Sequence, residues 1–303
     1  MYHVQSAGDI RLDAPDLFAP HSRGFTRAAL VGKPQGAVHT GFQLCALEPA
    51  GTVGTHLHSV EESFYVLSGN PQLTIGGRAH LLAPGDCGLV PVGVAHAWTG
   101  GGDGEARWLE MQSPAPRIAG PPDTFFTGDP VPTQRGEELD IRDPRSRQFF
   151  RLGPGQMDVD NLKIGAGVDA PTVSASMATA LLAYSGIAVK MLVDGRLGAV
   201  LHSMFMVEYQ PGGVAQPHDH PLEEAYYILE GEVDAVADDE RFTLRAGDFF
   251  WTGVGCIHAF YNRSPTARVR WLETQSPQPP SNHSYRFDRD WDYLATRLPD
   301  GGR

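Results

Sequence analysis

Residues 56–69 read HLHSVEESFYVLSG, and residues 218–231 read HDHPLEEAYYILEG. Each stretch opens on His-x-His, places a Glu four residues after the second His, runs on through aromatic and β-branched residues, and closes on Gly. The two lie 162 residues apart, and two further pairs keep that offset. GAVHTGFQLCALEPAG at 36–51 matches GAVLHSMFMVEYQPGG at 198–213, and PGDCGLVPVGVAHAW at 84–98 matches AGDFFWTGVGCIHAF at 246–260. A fourth pair, WLEMQSP at 108–114 and WLETQSP at 271–277, is displaced by one residue more. The chain is therefore an internal repeat of two units, one from about 25 to 115 and one from about 188 to 278.

Within each unit the runs FQLCALEPAG, SFYVLSG, PQLTIGG and RWLEMQSP, and their counterparts MFMVEYQPGG, AYYILEG, EVDAVADD and VRWLETQSP, are short, rich in aromatic and β-branched residues, and bounded by Gly or Pro. That is the pattern of strands joined by turns in a sandwich or small barrel. With 35 Gly and 24 Pro in 303 residues, the composition also points to many turns. The expected fold is all-β, with two antiparallel barrels in tandem. The first domain is expected at 1–115, a linker at 116–187 and the second domain at 188–303. The linker opens on the Pro-rich stretch APRIAGPPDTFFTGDPVPTQ, a surface loop or a lid over a site. One short helix fits its end, from a cap at Ser174 or Ser176 to Gly186, and a second fits DRDWDYLATRL at 288–298.

The ligand types recur with the repeat. His56, His58, Glu62 and His96 correspond to His218, His220, Glu224 and His258. Two His at i and i+2 project from one face of a strand, the Glu follows beyond a tight turn, and the last His comes from a later strand. Neutral imidazoles with one carboxylate suit first-row divalent metals, and no thiolate takes part. Four protein ligands leave up to two positions open on a six-coordinate ion, where substrate or dioxygen binds. Matched placement of six of the chain's twelve His excludes accident.

These residues resemble the two motifs of the cupin superfamily. The first, G-x5-H-x-H-x3-4-E-x6-G, is complete in the second repeat from Gly212 to Gly231; in the first repeat Ala50 stands at its opening position and Gly51 follows. The second, G-x5-P-x-G-x2-H-x3-N, is met by Gly85, Pro91, Gly93 and His96 but ends on Gly100. In the second repeat it is met by Gly247, Gly255, His258 and Asn262, with Gly253 in place of Pro. Every departure lies at a turn and none at a ligand. The resemblance implies a bicupin: two jelly-roll barrels, each holding a metal, with up to two divalent ions per chain (Fe, Mn, Ni, Zn or Cu, iron or manganese foremost). It also implies a possible homodimer, and MYHVQSAGDIRL is a candidate for an exchanged strand.

Proteins of this superfamily with these ligands include oxalate decarboxylases, quercetin-type dioxygenases, isomerases, ureide hydrolases and storage proteins, so the reaction must be read from the cavity lining. Glu110 shares a strand face with Trp108 and Gln112, and Glu273 with Trp271 and Gln275. If those faces point inward, the two Glu are candidate general bases or partners of a ligand His; if outward, they are solvated. Phe64, Trp98, Tyr226 and Phe260 share strand parity with ligands and are expected to wall the pockets. Gln43 is a candidate cavity residue, and its counterpart Phe205 predicts unequal pockets. An oxalate-type substrate calls for an inward Arg, and none can be singled out; Arg78 sits in a turn. The first expectation is a dioxygenase acting on a small aromatic, enol or diketone-like molecule. The alternatives are a redox-neutral decarboxylase, hydrolase or isomerase of a small organic acid, or a metal-bound storage protein.

The net charge of −12 disfavours nucleic acid and anionic membranes as partners, leaving a small-molecule substrate. No run of about 18 apolar residues is present. Cys45, Cys87 and Cys256 form no close pair, and with an N-terminus unlike a signal peptide they point to the cytoplasm.

Overall fold

A computed structural model describes residues 1–131, 134–141, 143, 146–153, 155–157, 184–278 and 286–287. The helix expected over 288–298 lies outside these residues. So does most of the one expected before Gly186, which itself lies within a strand. The described helices are three single 3-10 turns, Ala7–Asp9, Ala19–His21 and Lys33–Gln35.

The rest is strand. The first part of the chain forms β1 (Tyr2–Gln5), β2 (Ser22–Val31), β3 (Gly41–His58), β4 (Glu61–Ser68), β5 (Pro71–Ile75), β6 (Arg78–Leu81), β7 (Asp86–Val90), β8 (His96–Gly100) and β9 (Ala106–Ser113). The segment between the repeats adds β10 (Thr124–Phe126), β11 (Glu137–Glu138) and β12 (Phe149–Arg151). The second repeat forms β13 (Tyr184–Val193), β14 (Ser203–Asp219), β15 (Glu223–Glu230), β16 (Glu232–Ala237), β17 (Glu240–Arg245), β18 (Phe249–Thr252), β19 (His258–Tyr261) and β20 (Val269–Ser276), followed by β21 (Arg286–Phe287).

Each repeat curls into a jelly roll around one long bent strand. The first half of β3 pairs with β2 and β9, and its second half with β8 and β10, so β3 belongs to both layers of its barrel. The strand β14 does the same with β13, β20, β19 and β21. Successive side chains of a strand face opposite ways, and here both ways are buried. Cys45 and Leu47 point into the first barrel with Trp98 and Trp108. Phe42 and Leu44 point out of it, into a core shared with Met204, Phe249 and Trp251 of the other repeat. The stretch read as a loop supplies β10 to the edge of β3, and β12 brings Phe149 into the first barrel.

The two halves meet with equivalent groups on equivalent partners. The Glu61 carboxylate accepts hydrogen bonds from the N–H groups of Val200, Leu201 and His202 at 2.9, 3.0 and 3.3 Å. Glu223, its counterpart, accepts from Val38, His39 and Thr40 at 2.7, 3.1 and 3.0 Å. At the centre the Ser113 and Ser276 hydroxyls lie 2.6 Å apart. Equivalent residues touching each other mark a pseudo-two-fold axis, as in an isologous dimer interface. The N-terminus crosses that interface: β1 pairs with β18, on the barrel of the second repeat.

Candidate metal centres

In the first barrel His56 and His58 come from the end of β3, Glu62 from the start of β4 and His96 from the start of β8. Opposed strands bring His96 directly across from His56, with ring centroids 4.1 Å apart. One ring nitrogen of each His lies within 4.8 Å of the others. The Nδ1 atoms are turned away: that of His56 meets the Gly54 carbonyl at 2.7 Å, that of His96 the Val94 carbonyl at 3.1 Å, and that of His58 the Thr124 hydroxyl at 2.9 Å. An Nδ1 that donates to a carbonyl leaves the Nε2 lone pair free to bind a metal. Glu62 lies 3.1 Å from His58 Nε2 and 3.7 Å from His96 Nε2, and the Gln112 amide donates to it at 2.7 Å.

The second barrel repeats the arrangement with His218, His220, Glu224 and His258. All three Nδ1 atoms face backbone carbonyls, of Gln216, Leu222 and Cys256, at 2.7, 3.0 and 2.9 Å. Glu224 lies 2.6 Å from His220 Nε2 and receives the Gln275 amide. Besides the Leu222 carbonyl in place of the Thr124 hydroxyl, one partner of the carboxylate differs. The Tyr226 hydroxyl donates to Glu224 and lies 3.1 Å from His258 Nε2, where Phe64 offers the first site no polar group.

Protonation follows from these surroundings. Burial, with His96 and His58 alongside, holds His56 well below the usual imidazole range, and burial takes His96 down to about 4. Burial and the neighbouring His258 hold His218 low in the same way. Burial acts to lower His58 and His220, but the adjoining Glu62 and Glu224 outweigh it and raise both. The same pairing keeps Glu62 and Glu224 ionised despite burial. The donor set fits a divalent cation. Glu62 Oε1 and His96 Nε2 are buried, face each other, and have no hydrogen-bond partner among the described residues. A divalent ion held by His56, His58, His96 and Glu62 would satisfy both, in place of a proton shared between His58 and Glu62.

The remaining candidates lie beneath the ligands. Glu110 and Glu273 face inward, 6% and 8% exposed, and accept the indole N–H of Trp108 and Trp271 at 2.7 and 2.9 Å. Burial and the nearby Glu62 push Glu110 up to about 7; burial and Glu224 raise Glu273 well above the carboxylate range. Phe64 and Trp98 are sealed in the first barrel, Trp98 stacking on Trp108 at 4.6 Å, and Phe260 and Tyr226 pack together in the second at 5.0 Å. Gln43 stands across from Glu110 with its Oε1 unpaired among the described residues; at the matching place Phe205 stands across from Glu273. Arg78 is tied to Glu137 and Asp143 at 3.5 and 3.7 Å, away from the ligands.

Sequence reading missed Thr124 and Arg27. Thr124 comes from the Pro-rich stretch, 66 residues from the His58 it contacts, and nothing local announces it. Arg27 stands directly across from Cys45 on the inward side of β2. Extending the repeat back to align SRGFTRAALV at 22–31 with YSGIAVKMLV at 184–193 would have marked position 27 as inward.

A family model described as the cupin domain matches residues 43–111 and again 205–274, the two stretches that carry these ligands. The chain belongs to the cupin superfamily. It is a bicupin, and its two cupin domains are tandem jelly rolls. A putative glyoxylate-induced protein from Pseudomonas aeruginosa is similar over 93% of this chain and 89% of its own, at 19% identity and a TM-score of 0.62. The oxalate decarboxylase of Lactobacillus farciminis, in a formate complex, matches over 97% and 90% at 18% identity and a TM-score of 0.60. That of Bacillus subtilis matches over 98% and 80% at 17% identity and a TM-score of 0.59. Likeness at this identity speaks for the shared fold. A comparison with curated proteins returns no match. Among the described residues no helix is long and apolar enough to cross a membrane.

Proposed function

We propose that this bicupin is a metal-dependent enzyme whose first barrel carries out redox-neutral, proton-moving chemistry on a small oxygen-bearing substrate. The observation that carries the reading is Glu110: a buried carboxyl, titrating at about 7, on the same inward face as Gln112, which holds the ligand Glu62. A group whose pKa sits near the working pH both gives and takes a proton efficiently. A divalent metal on His56, His58, His96 and Glu62, iron or manganese first, supplies Lewis acidity toward a substrate oxygen. Glu110 holds or releases the proton at the carboxyl oxygen not engaged by Trp108. Gln112 keeps Glu62 turned to the metal, while Trp98, Phe64 and Trp108 keep bulk water from below. Solved neighbours that are oxalate decarboxylases agree with a redox-neutral lyase reaction without requiring it.

The aromatic wall of Phe64, Trp98 and Trp108 supports a second reading, a dioxygenase of a small aromatic, enol or diketone-like molecule. Turnover by the metal-loaded chain, followed with an oxygen electrode across a substrate panel, separates the two. Product formation without stoichiometric oxygen uptake, lost in Glu110→Gln with metal retained, is the expected result. Oxygen consumed one for one with product would overturn it in favour of the dioxygenase.

A further inference from the structure

The two barrels differ along β2 and β13, which flank β3 and β14. On β2 the residues Phe25, Arg27 and Ala29 stand across from Leu47, Cys45 and Gln43 of β3. Directly opposed residues of an antiparallel pair share a face, so Phe25 and Arg27 lie on the side of Leu47 and Cys45, toward the first barrel's core, while Ala29 is exposed. On β13 the same places hold Ile187, Val189 and Met191, across from Tyr209, Val207 and Phe205. These join the apolar core of the second barrel with Tyr226, Phe250 and Phe260. One cavity thus has a cation and an amide on this wall, and the other has only apolar and aromatic groups.

Arg27 is half-buried. Its guanidinium carbon lies 4.5 Å from the centre of the Phe18 ring, and that ring meets His56 edge-on at 5.7 Å. Among the described residues its guanidinium makes no ion pair and no hydrogen bond, whereas Arg23, Arg107, Arg117 and Arg151 all engage oxygen acceptors. A guanidinium presents a fork of donors matched to a carboxylate. Its charge is felt at Glu110 and at His58, which places it within electrostatic reach of both the acid and the metal ligands. Gln43, two residue pairs along from Arg27 and two residues from Cys45 on β3, adds a buried oxygen with no partner among the described residues.

We propose that Arg27 receives a carboxylate of the substrate, and that small carboxylate-bearing molecules bind in the first cavity and not in the second. The assignment rests on the first cavity being the reacting one and names its substrate class: a short acid reaching the metal with one oxygen donor while its carboxylate meets Arg27. Val189 gives the second cavity no such partner, and Tyr226 already occupies its ligand carboxylate.

Calorimetric titration of the metal-loaded chain with malonate, and with the neutral malonamide, tests this. One malonate per chain is expected, with malonamide at least tenfold weaker. Arg27→Gln should weaken malonate at least tenfold, and Arg27→Lys should keep most of the affinity, both with metal content and melting temperature unchanged. Two malonates per chain, no malonate binding by the wild type, equal binding of malonamide, or unchanged malonate binding by Arg27→Gln would each overturn the proposal; the malonamide comparison needs no variant to fold. Redox-neutral turnover of an uncharged substrate, unaffected by Arg27→Gln, would leave the proposed reaction standing and remove this assignment. Arg27-dependent malonate binding in a chain without turnover would do the reverse.

Discussion

Glu110 and Gly100 show how much rests on single positions. An ordinary carboxyl titrates near 4.5, and Glu110 is pushed up to about 7 by burial and Glu62. The folded chain therefore binds this proton more tightly than the unfolded chain. Its contribution is fully present at low pH and is lost as pH rises from the ordinary carboxylate value through about 7. At 1.36 kcal/mol per pKa unit the whole shift amounts to about 3.4 kcal/mol, of which about 2.5 kcal/mol is lost between pH 5 and pH 8. Denaturation of chelator-treated protein at pH 5 and pH 8 should show the wild type losing that much relative to Glu110→Gln, whose neutral amide still accepts from Trp108. At Gly100 a Cβ would lie 2.0 Å from the Pro49 carbonyl oxygen, so the bend of β3 rests directly on this backbone. In the second repeat Asn262 stands there and donates to the Gln210 and Ala267 carbonyls, both at 2.9 Å. The departure from the family motif at Gly100 is thus another solution to the same contact between a bend and a turn.

Among the elements, β10 was the hardest to foresee. Periodicity over three residues cannot distinguish a strand from a Pro-rich loop, and only the free edge of β3 makes Thr124–Phe126 a strand. Its effect on the site is specific. Thr124 holds His58 Nδ1, and Phe126 stacks on His21 at 4.1 Å beside His56. Partners of this kind typically change metal affinity 10- to 100-fold. Thr124→Ala is expected to weaken the first site about tenfold and leave the second unchanged, as measured by competition with a chromophoric chelator. The hairpins that carry the candidate ligands were legible, because His-x-His and the following Glu lie within seven residues, and strand alternation alone puts the two His on one face. The inward direction of Glu110 and Glu273 was left open by the sequence. It follows from the register of β9 and β20 against β3 and β14.

For the whole molecule, the pseudo-two-fold interface makes the repeats one folding unit. Phe42, Leu109 and Met111 of one repeat and Met204, Phe249 and Leu272 of the other lie in a single core, and the Glu61 and Glu223 carboxylates each hold three amides of the opposite half. The strand β1 adds a tie in one direction only. Tyr2 stacks on Phe242 at 5.7 Å, and the same strand pairs with Thr252, which itself pairs with the ligand Glu224. Removing residues 1–6 should therefore loosen the second site before the first. In a chelator titration of that truncated chain, one metal equivalent should leave at markedly lower chelator concentration than in the full chain, and the other should be unmoved.

The sequence by itself determined the duplication and the two jelly rolls, and it singled out the two His triads that the fold gathers, because each is written in local patterns: alternation, turn residues, and spacings of two, four and a fixed repeat offset. The sequence already marked the two pockets as unequal at Gln43 and Phe205, and the tertiary structure decided what such differences mean. In the repeat Arg27 corresponds to Val189, Gln43 to Phe205 and Phe64 to Tyr226, and the meaning of each exchange depends on strand register and on which side of a doubly buried sheet a side chain enters. When both faces of a strand are buried, hydropathy no longer separates inside from outside, and the contacts of neighbouring strands settle it.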